Sequence, residues 1–400
     1  MTEKKSMNQA VDKKSGKKLR GVNLGGWLVL EKWMTPSLFE GLQARDETSY
    51  CVELGAKAAQ TLKNHWNTFI TREDFAWLAH TGINAVRIPI GHWIFGPDYP
   101  YHQAYGESAH PFVEGGIAIL DRAFDWAEEY GLEIVLDLHA APGCQNGFSN
   151  GGIRGVCEWH TKPEYLNYAL LTLERLAQRY HNRPVLHAIA VLNEPSPTID
   201  TALLKKYITD GYHRIRQYCQ AKDVIVLFDE GFRSFREYTG FLTEPEFSNG
   251  VLDIHRYQQH KQVEQQQMEL SSGVLDIHRY QCFGRAQIDA DIYGYIRCAV
   301  VDWKREADEI ITDLGHSVYV GEWSLGMASR AESFWAKGPS NQEIDEFKRT
   351  VAYRAYAAAQ LLTFEKYPGW FFWSYKTETK PDWSFRDCVN RGWLPDKFDG

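Results

Sequence analysis

Short, largely apolar runs alternate with longer stretches of helical periodicity from residue 20 almost to the C-terminus. The runs are Arg20–Trp27, Asn84–Ile90, Glu133–Ala140, His187–Glu194, Asp223–Asp229, Val274–Tyr280, Ser317–Trp323 and Gly369–Tyr375. Being apolar throughout rather than alternating, they predict strands covered on both faces. Ile117–Tyr130, Pro163–Tyr180, Thr201–Gln220, Tyr293–Leu314 and Glu343–Tyr367 carry the helical period between them. Gly82 and Gly131 stand where a helix must stop before the next strand. Eight such units without a Pro/Ser-rich linker predict one α/β domain, a (β/α)8 TIM barrel over residues 19–400. A doubly wound open sheet is the alternative, but no glycine-rich phosphate loop follows the first run. Length alone also permits two ordinary domains.

One stretch breaks the pattern. Glu246–Gln258 (EFSNGVLDIHRYQ) recurs as Glu269–Gln281 (ELSSGVLDIHRYQ), with a Gln-rich spacer at Gln259–Met268. Such a repeat is too short to announce a repeat architecture. An eight-stranded barrel has one slot for a sixth strand, so one copy is expected to pair into the barrel and the other to loop out. The second copy, which alone continues into Phe283, is the expected strand.

Composition narrows the partners. A formal net charge of −8 argues against nucleic acid or an anionic membrane surface, since phosphate binding needs concentrated Lys and Arg. No apolar run is long enough to span a bilayer. Fourteen Trp exceed what core packing usually needs, and flat rings with a donor suit sugar faces, although core packing claims many of them. Residues 1–18 are polar and Lys-rich, and are expected to be a disordered tail with no secretory signal. Seven Cys, an odd number without framework spacing, fit reduced thiols in a cytoplasmic protein; Cys144 and Cys157 flank one loop and could pair in an oxidising medium. No metal-ligand spacing is present, and no cofactor is implied.

A barrel must carry its chemistry where strands end. Those ends hold Asn23, Arg87, His139, Asn193–Glu194, Asp229–Glu230, His278–Tyr280, Glu322 and Trp373. Glu194 and Glu322 follow strands on opposite sides of the expected mouth. Paired carboxylates there suit glycoside hydrolysis: one gives a proton to the leaving oxygen, and the other attacks C1 or activates water. A separation of roughly 5–5.5 Å is the retaining geometry, and roughly 6.5–9.5 Å the inverting one. Arg87 and Tyr280 are placed to hold Glu322 ionised, Asn193 to meet the 2-hydroxyl, His139 and His278 to meet other hydroxyls, and Trp373 to floor the ring. Asp137, Asp253 and Asp276 are taken to point away from the histidines two residues on, as structural residues. Each residue alone has a bland reading as a turn, core or ion-pair residue; their joint occurrence at successive strand ends favours a catalytic site.

In this order, Arg87, His139, Asn193, Glu194, His278, Tyr280, Glu322 and Trp373 resemble the pattern of glycoside hydrolase family 5. The resemblance implies retention by double displacement without a cofactor, with Glu194 as proton donor and Glu322 as nucleophile. Arg20–Leu38, His139–Asn150 and Ile277–Phe283 resemble, more narrowly, the glucan exo-1,3-β-glucosidase subgroup. That likeness implies that Glu31 contacts the terminal glucose and that Phe148 and Phe283 frame the entrance. The expected substrate is a β-glucan oligosaccharide or β-glucoside. A β-1,6- or β-1,4-glucanase and a catalytically impaired carbohydrate-binding barrel are the alternatives, and the oligomeric state is left open.

Overall fold

The computed structural model describes residues 18–96, 111–229, 231–238, 250–257, 274–280, 291–305, 317–327 and 345–398, together with 241, 247 and 308. In 235–236, 250–257, 274–280 and 317–318 it describes the backbone alone. The expected tail lies outside these residues except for Lys18, as do the Gln-rich spacer and Phe283.

Parallel strands β1 (Leu19–Asn23), β2 (Ala85–Gly91), β3 (Glu133–Ala140), β4 (Leu186–Ala190), β5 (Ile225–Asp229), β6 (Gly250–Tyr257), β7 (Val274–Tyr280), β8 (Ser317–Trp323) and β9 (Gly369–Phe372) close into one barrel. Helices α1 (Glu47–Leu54), α2 (Ala56–Thr68), α3 (Arg72–His80), α4 (Gly116–Tyr130), α5 (Pro163–Tyr180), α6 (Thr201–Arg216), α7 (Ile292–Arg297), α8 (Glu346–Phe364) and α9 (Phe385–Asn390) lie on its outside or at its ends. Local chemistry sets several boundaries. Asp46 caps α1 by accepting from Ser49 N, Pro163 opens α5, and Gly131 ends α4 in the left-handed region at φ 69°.

The expected α/β barrel is present, but nine strands close it. Both copies of the repeat are strands: β6 and β7 pair in parallel with identical residues opposite, Asp253 to Asp276, His255 to His278 and Tyr257 to Tyr280. The expectation that one copy would loop out is therefore corrected. Parallel neighbours need to be separated in sequence by about a dozen residues or more, and Tyr257 and Val274 are. A strand with a good partner sequence on each side satisfies its backbone in the sheet and not in a loop.

Side chains alternate across each strand, so one face lines the lumen and the other meets the helices. Leu19, Ala85, Val135, Ala188, Ala190, Ile225, Leu227, Tyr319 and Phe371 form an apolar plug inside the barrel. The larger core joins the outward faces to the helices, with Ile134, Leu136, Leu138, Phe124, Leu173 and Trp323 among its members.

Candidate active site

The inward face of each strand changes character along its length. On β3, Val135 belongs to the apolar plug, and Asp137 and His139 follow it at the same parity. On β2, Arg87 follows Ala85, and on β5, Asp229 follows Leu227. Strand β8 needs an irregularity to do the same. Tyr319 and Glu322 are three apart and would lie on opposite faces of a regular strand. The register shifts between Val320 and Trp323, which turns Glu322 to the lumen while Trp323 packs outward.

Arg87, fully buried, organises the mouth. Its Nη1 donates to Glu322 Oε1 and to Asn23 Oδ1, both at 2.9 Å, and its Nη2 donates to Asn193 Oδ1 at 2.9 Å. Asp137 Oδ2 lies 3.1 Å from the same guanidinium and 2.6 Å from His139 Nδ1. The view of Asp137 as pointing away from His139 is thus wrong: residues two apart on a strand share a face. A guanidinium this deep would cost several kcal/mol if unpaired, and here two carboxylates and two amide oxygens receive it. Burial pulls the His139 imidazole down, but Asp137's charge and hydrogen bond outweigh it and leave the pKa raised. His139 Nε2 and Asn193 Nδ2 are buried and have no hydrogen-bond partner among the described residues, so both can face a ligand.

Glu194 follows β4 in the left-handed region, at φ 47°, an uncommon conformation for a side-chain-bearing residue. Asp229 holds it there, accepting from Glu194 N at 2.5 Å and from Gly231 N at 2.6 Å. Gly231 allows this close approach, since a Cβ there would lie 2.7 Å from Pro195 O. Asn150 Nδ2 donates to Glu194 Oε2 at 3.1 Å. Gln145 stitches the two strand ends together, donating to His139 O at 2.7 Å and Asn193 O at 2.8 Å.

Glu31, in the loop after β1, is 6% exposed and feels the charges of His139, Glu322 and Glu194. Desolvation raises its carboxyl to about 7, against the pull of His139 and of the Trp33 indole, which donates to Oε2 at 2.9 Å. Trp373 stacks on His139 at 5.4 Å and 10°, and its peptide bond to Ser374 is cis. Trp33 and Trp383 continue the aromatic wall, edge to face at 5.5 Å. Phe148 is 46% exposed and meets Phe232 at 6.5 Å.

The structure therefore gathers Glu31, Arg87, His139, Asn193, Glu194, Glu322 and Trp373 at one barrel mouth, with Phe148 on its neighbouring loop. His278 and Tyr280 are placed by backbone on β7, where His278 pairs opposite Glu322. The second copy of the repeat thus adjoins the Glu322 strand, and the first lies between it and β5. Sequence reasoning gave no role to Asp137, Gln145, Asn150 or Asp229. Asn150 and Gln145 stood within a quoted loop motif and Asp229 at a strand end, but their partners come from other strands. Among the described residues, no cluster of His, Cys, Asp and Glu could hold a metal, and Cys144 and Cys157 are free thiols. No helix of the described residues is long and apolar enough to cross a membrane.

Comparisons with known proteins bear on the family and the fold. The family model described as Cellulase (glycosyl hydrolase family 5) matches residues 49–378. The chain is 34% identical over 421 residues to a glucan 1,3-β-glucosidase of Blumeria graminis, covering 96% of this chain and 88% of that protein. It is 36% identical over 389 residues to a probable glucan 1,3-β-glucosidase A of Emericella nidulans, covering 94% and 90%. Its fold resembles that of a rutinosidase from Aspergillus niger, with TM-score 0.73 and 21% identity over 96% of this chain and 99% of that one.

Proposed function

The chain belongs to glycosyl hydrolase family 5, and from that premise we propose that it is a retaining, exo-acting glucan 1,3-β-glucosidase that removes glucose from β-glucan oligosaccharides. The observation that carries the exo reading is the buried Glu31. A third carboxyl, buried in the loop after β1 and close enough to feel the charges of the two others, gives the mouth a group for the hydroxyls of a terminal sugar. The named activities of the relatives support the same substrate class.

In the first step, a Glu322 oxygen attacks C1 while Glu194 gives its proton to the glycosidic oxygen. The C1–O bond breaks, the shortened glucan leaves, and glucose is held as an ester of Glu322. In the second step, Glu194, now a carboxylate, takes a proton from water as the water oxygen attacks C1, and the ester bond breaks. Two inversions give net retention. Arg87 fixes the Glu322 carboxylate by charge-assisted hydrogen bonds, so the nucleophile needs no reorganisation to attack. Because Arg87 occupies Asn193 Oδ1, the amide is oriented with Nδ2 toward the sugar, where it can donate to the 2-hydroxyl. His139, tethered by Asp137, offers Nε2 to a second hydroxyl, and the stacked Trp373 ring provides an apolar surface for the sugar.

The test is the early product pattern from laminarioligosaccharides. Glucose and a chain one unit shorter are expected; a ladder of intermediate sizes would overturn exo attack, and preference for β-1,6 or β-1,4 linkages would reassign the substrate. The nine-stranded closure favours one second reading, a barrel whose mouth is mis-set by the extra strand, because a displacement of about 1 Å can cost on the order of a hundredfold in rate. Deleting residues 251–273 joins Gly250 to Val274 and leaves one copy of the motif. A large gain in turnover on deletion would establish impairment, and an unchanged rate would exclude it.

A further inference from the structure

The proposed exo activity needs two loops to hold a fixed position: the one carrying Glu31 and the one carrying Asn150, which bonds Glu194. Glu31 sits in irregular backbone and Asn150 in a single 3-10 turn, Ser149–Gly151, and both loops meet the start of the same helix. At the loop after β1, Glu47 Oε2 accepts from Leu30 N at 2.8 Å, and Lys32 Nζ donates to Ala44 O at 3.0 Å. These bonds bracket Glu31 on both sides in the chain. At the loop after β3, Asp46 Oδ2 accepts from Arg154 N at 2.9 Å, and Thr48 N donates to Gly152 O at 3.3 Å. Asp46 also caps the helix through its other oxygen, which accepts from Ser49 N at 2.8 Å.

We propose that the first turn of α1, Asp46–Thr48, is a positioning clip that sets both walls of the glucose pocket, with Glu47 acting through Glu31. The proposal rests on the reading of that pocket as the glucose site. Three features separate the clip from ordinary packing. Glu47 is a carboxyl 1% exposed, which is costly unless it is bonded, as it is by Leu30 N and the Trp93 indole. Desolvation pushes it up to about 8, so near neutral pH it acts chiefly as an uncharged acceptor, a task glutamine can perform. Its acceptor meets the backbone one residue from Glu31, and a backbone bond there orients the following side chain. The clip also couples the walls: anything that rotates the turn moves Glu31 and Asn150 together.

The experiment measures KM and kcat on 4-nitrophenyl β-D-glucoside for Glu47→Leu, Glu47→Gln and Lys32→Met, each made in the wild type and in Glu31→Ala. Glu47→Leu is expected to raise KM about tenfold with kcat changing less, and Glu47→Gln to stay within about twofold of wild type. In the Glu31→Ala background, Glu47→Leu is expected to add less than about twofold, because the group it positions is gone. Lys32→Met is expected to raise KM about threefold in the wild type and to have little effect in Glu31→Ala, which keeps the test decisive should Glu47→Leu fail to fold. Equal penalties in both backgrounds, or an unchanged KM in the wild type, would overturn the clip. Failure of the exo reading shows elsewhere, as a ladder of products from wild type, and leaves these ratios intact.

Discussion

The two ends of the barrel lumen are built from the same strands and follow opposite rules. At the N-terminal end, Ala85, Val135, Ala188, Leu227 and Phe371 fill the interior as apolar side chains, and Tyr319 adds a hydroxyl within 3.3 Å of His187 Nε2. At the C-terminal end, Arg87, Asp137, His139, Asn193, Glu194 and Glu322 are equally buried, and each is held by a named partner. An apolar plug tolerates exchange of similar volumes, because its energy depends on area and fit. The polar mouth does not, since removing one partner leaves another buried group unsatisfied. Mutations at the mouth should therefore disturb chemistry, and mutations in the plug should disturb stability.

The sharpest break of that contrast is Glu194→Ala, expected to lower kcat/KM about 10²–10⁴-fold on oligosaccharides while leaving the folded state intact, as steady-state rates and circular dichroism will show. Asp137→Asn comes next, with a loss on the order of tenfold to a hundredfold. The same variant should shift the His139 titration, followed by nitrogen-15 NMR, to lower pH, because Asp137's charge opposes the lowering effect of burial. If His139 titrates as in wild type, Asp137 does not set its charge. In the plug, Leu227→Ala should cost about 2–5 kcal/mol in denaturant unfolding and leave kcat within about twofold.

The smallest effect is a pH dependence of stability. Glu31 and Glu47 ordinarily titrate near 4.5, and burial raises them to about 7 and about 8. Each binds its proton more tightly folded than unfolded, so their contribution is fullest below about pH 4.5 and is lost as pH rises through 7–8. The melting temperature should fall over that window, and fall less in Glu47→Gln. A slope unchanged by the substitution would show that Glu47 is already ionised in the fold.

The plug and the mouth were also unequally legible in the amino-acid sequence. Apolar runs locate strands well: Glu133–Ala140 and Ser317–Trp323 coincide with β3 and β8, and Pro163–Tyr180 with α5. Helices α1 and α3 escape because polar residues dilute their apolar period, whereas α2 carries a readable apolar stripe at Ala58, Leu62 and Trp66. At the mouth, side-chain types at strand ends pick out the residues that reach a ligand. Their supports are less visible. Asp229 acts on the backbone of the neighbouring strand end, and Gln145 bridges two strands. Asp137 is different: strand alternation alone places it beside His139. The repeat misleads because it is judged against a fixed count of eight strands, whereas pairing depends on edge complementarity, and two identical sequences pair in register.

The central claim is retention by Glu322 and Glu194, and proton NMR of the glucose first released from laminaritriose tests it directly. The account predicts β-glucose at the earliest times, with α-glucose appearing only as mutarotation proceeds. α-Glucose appearing first would mean a single inverting displacement, and would remove Glu322 as the nucleophile.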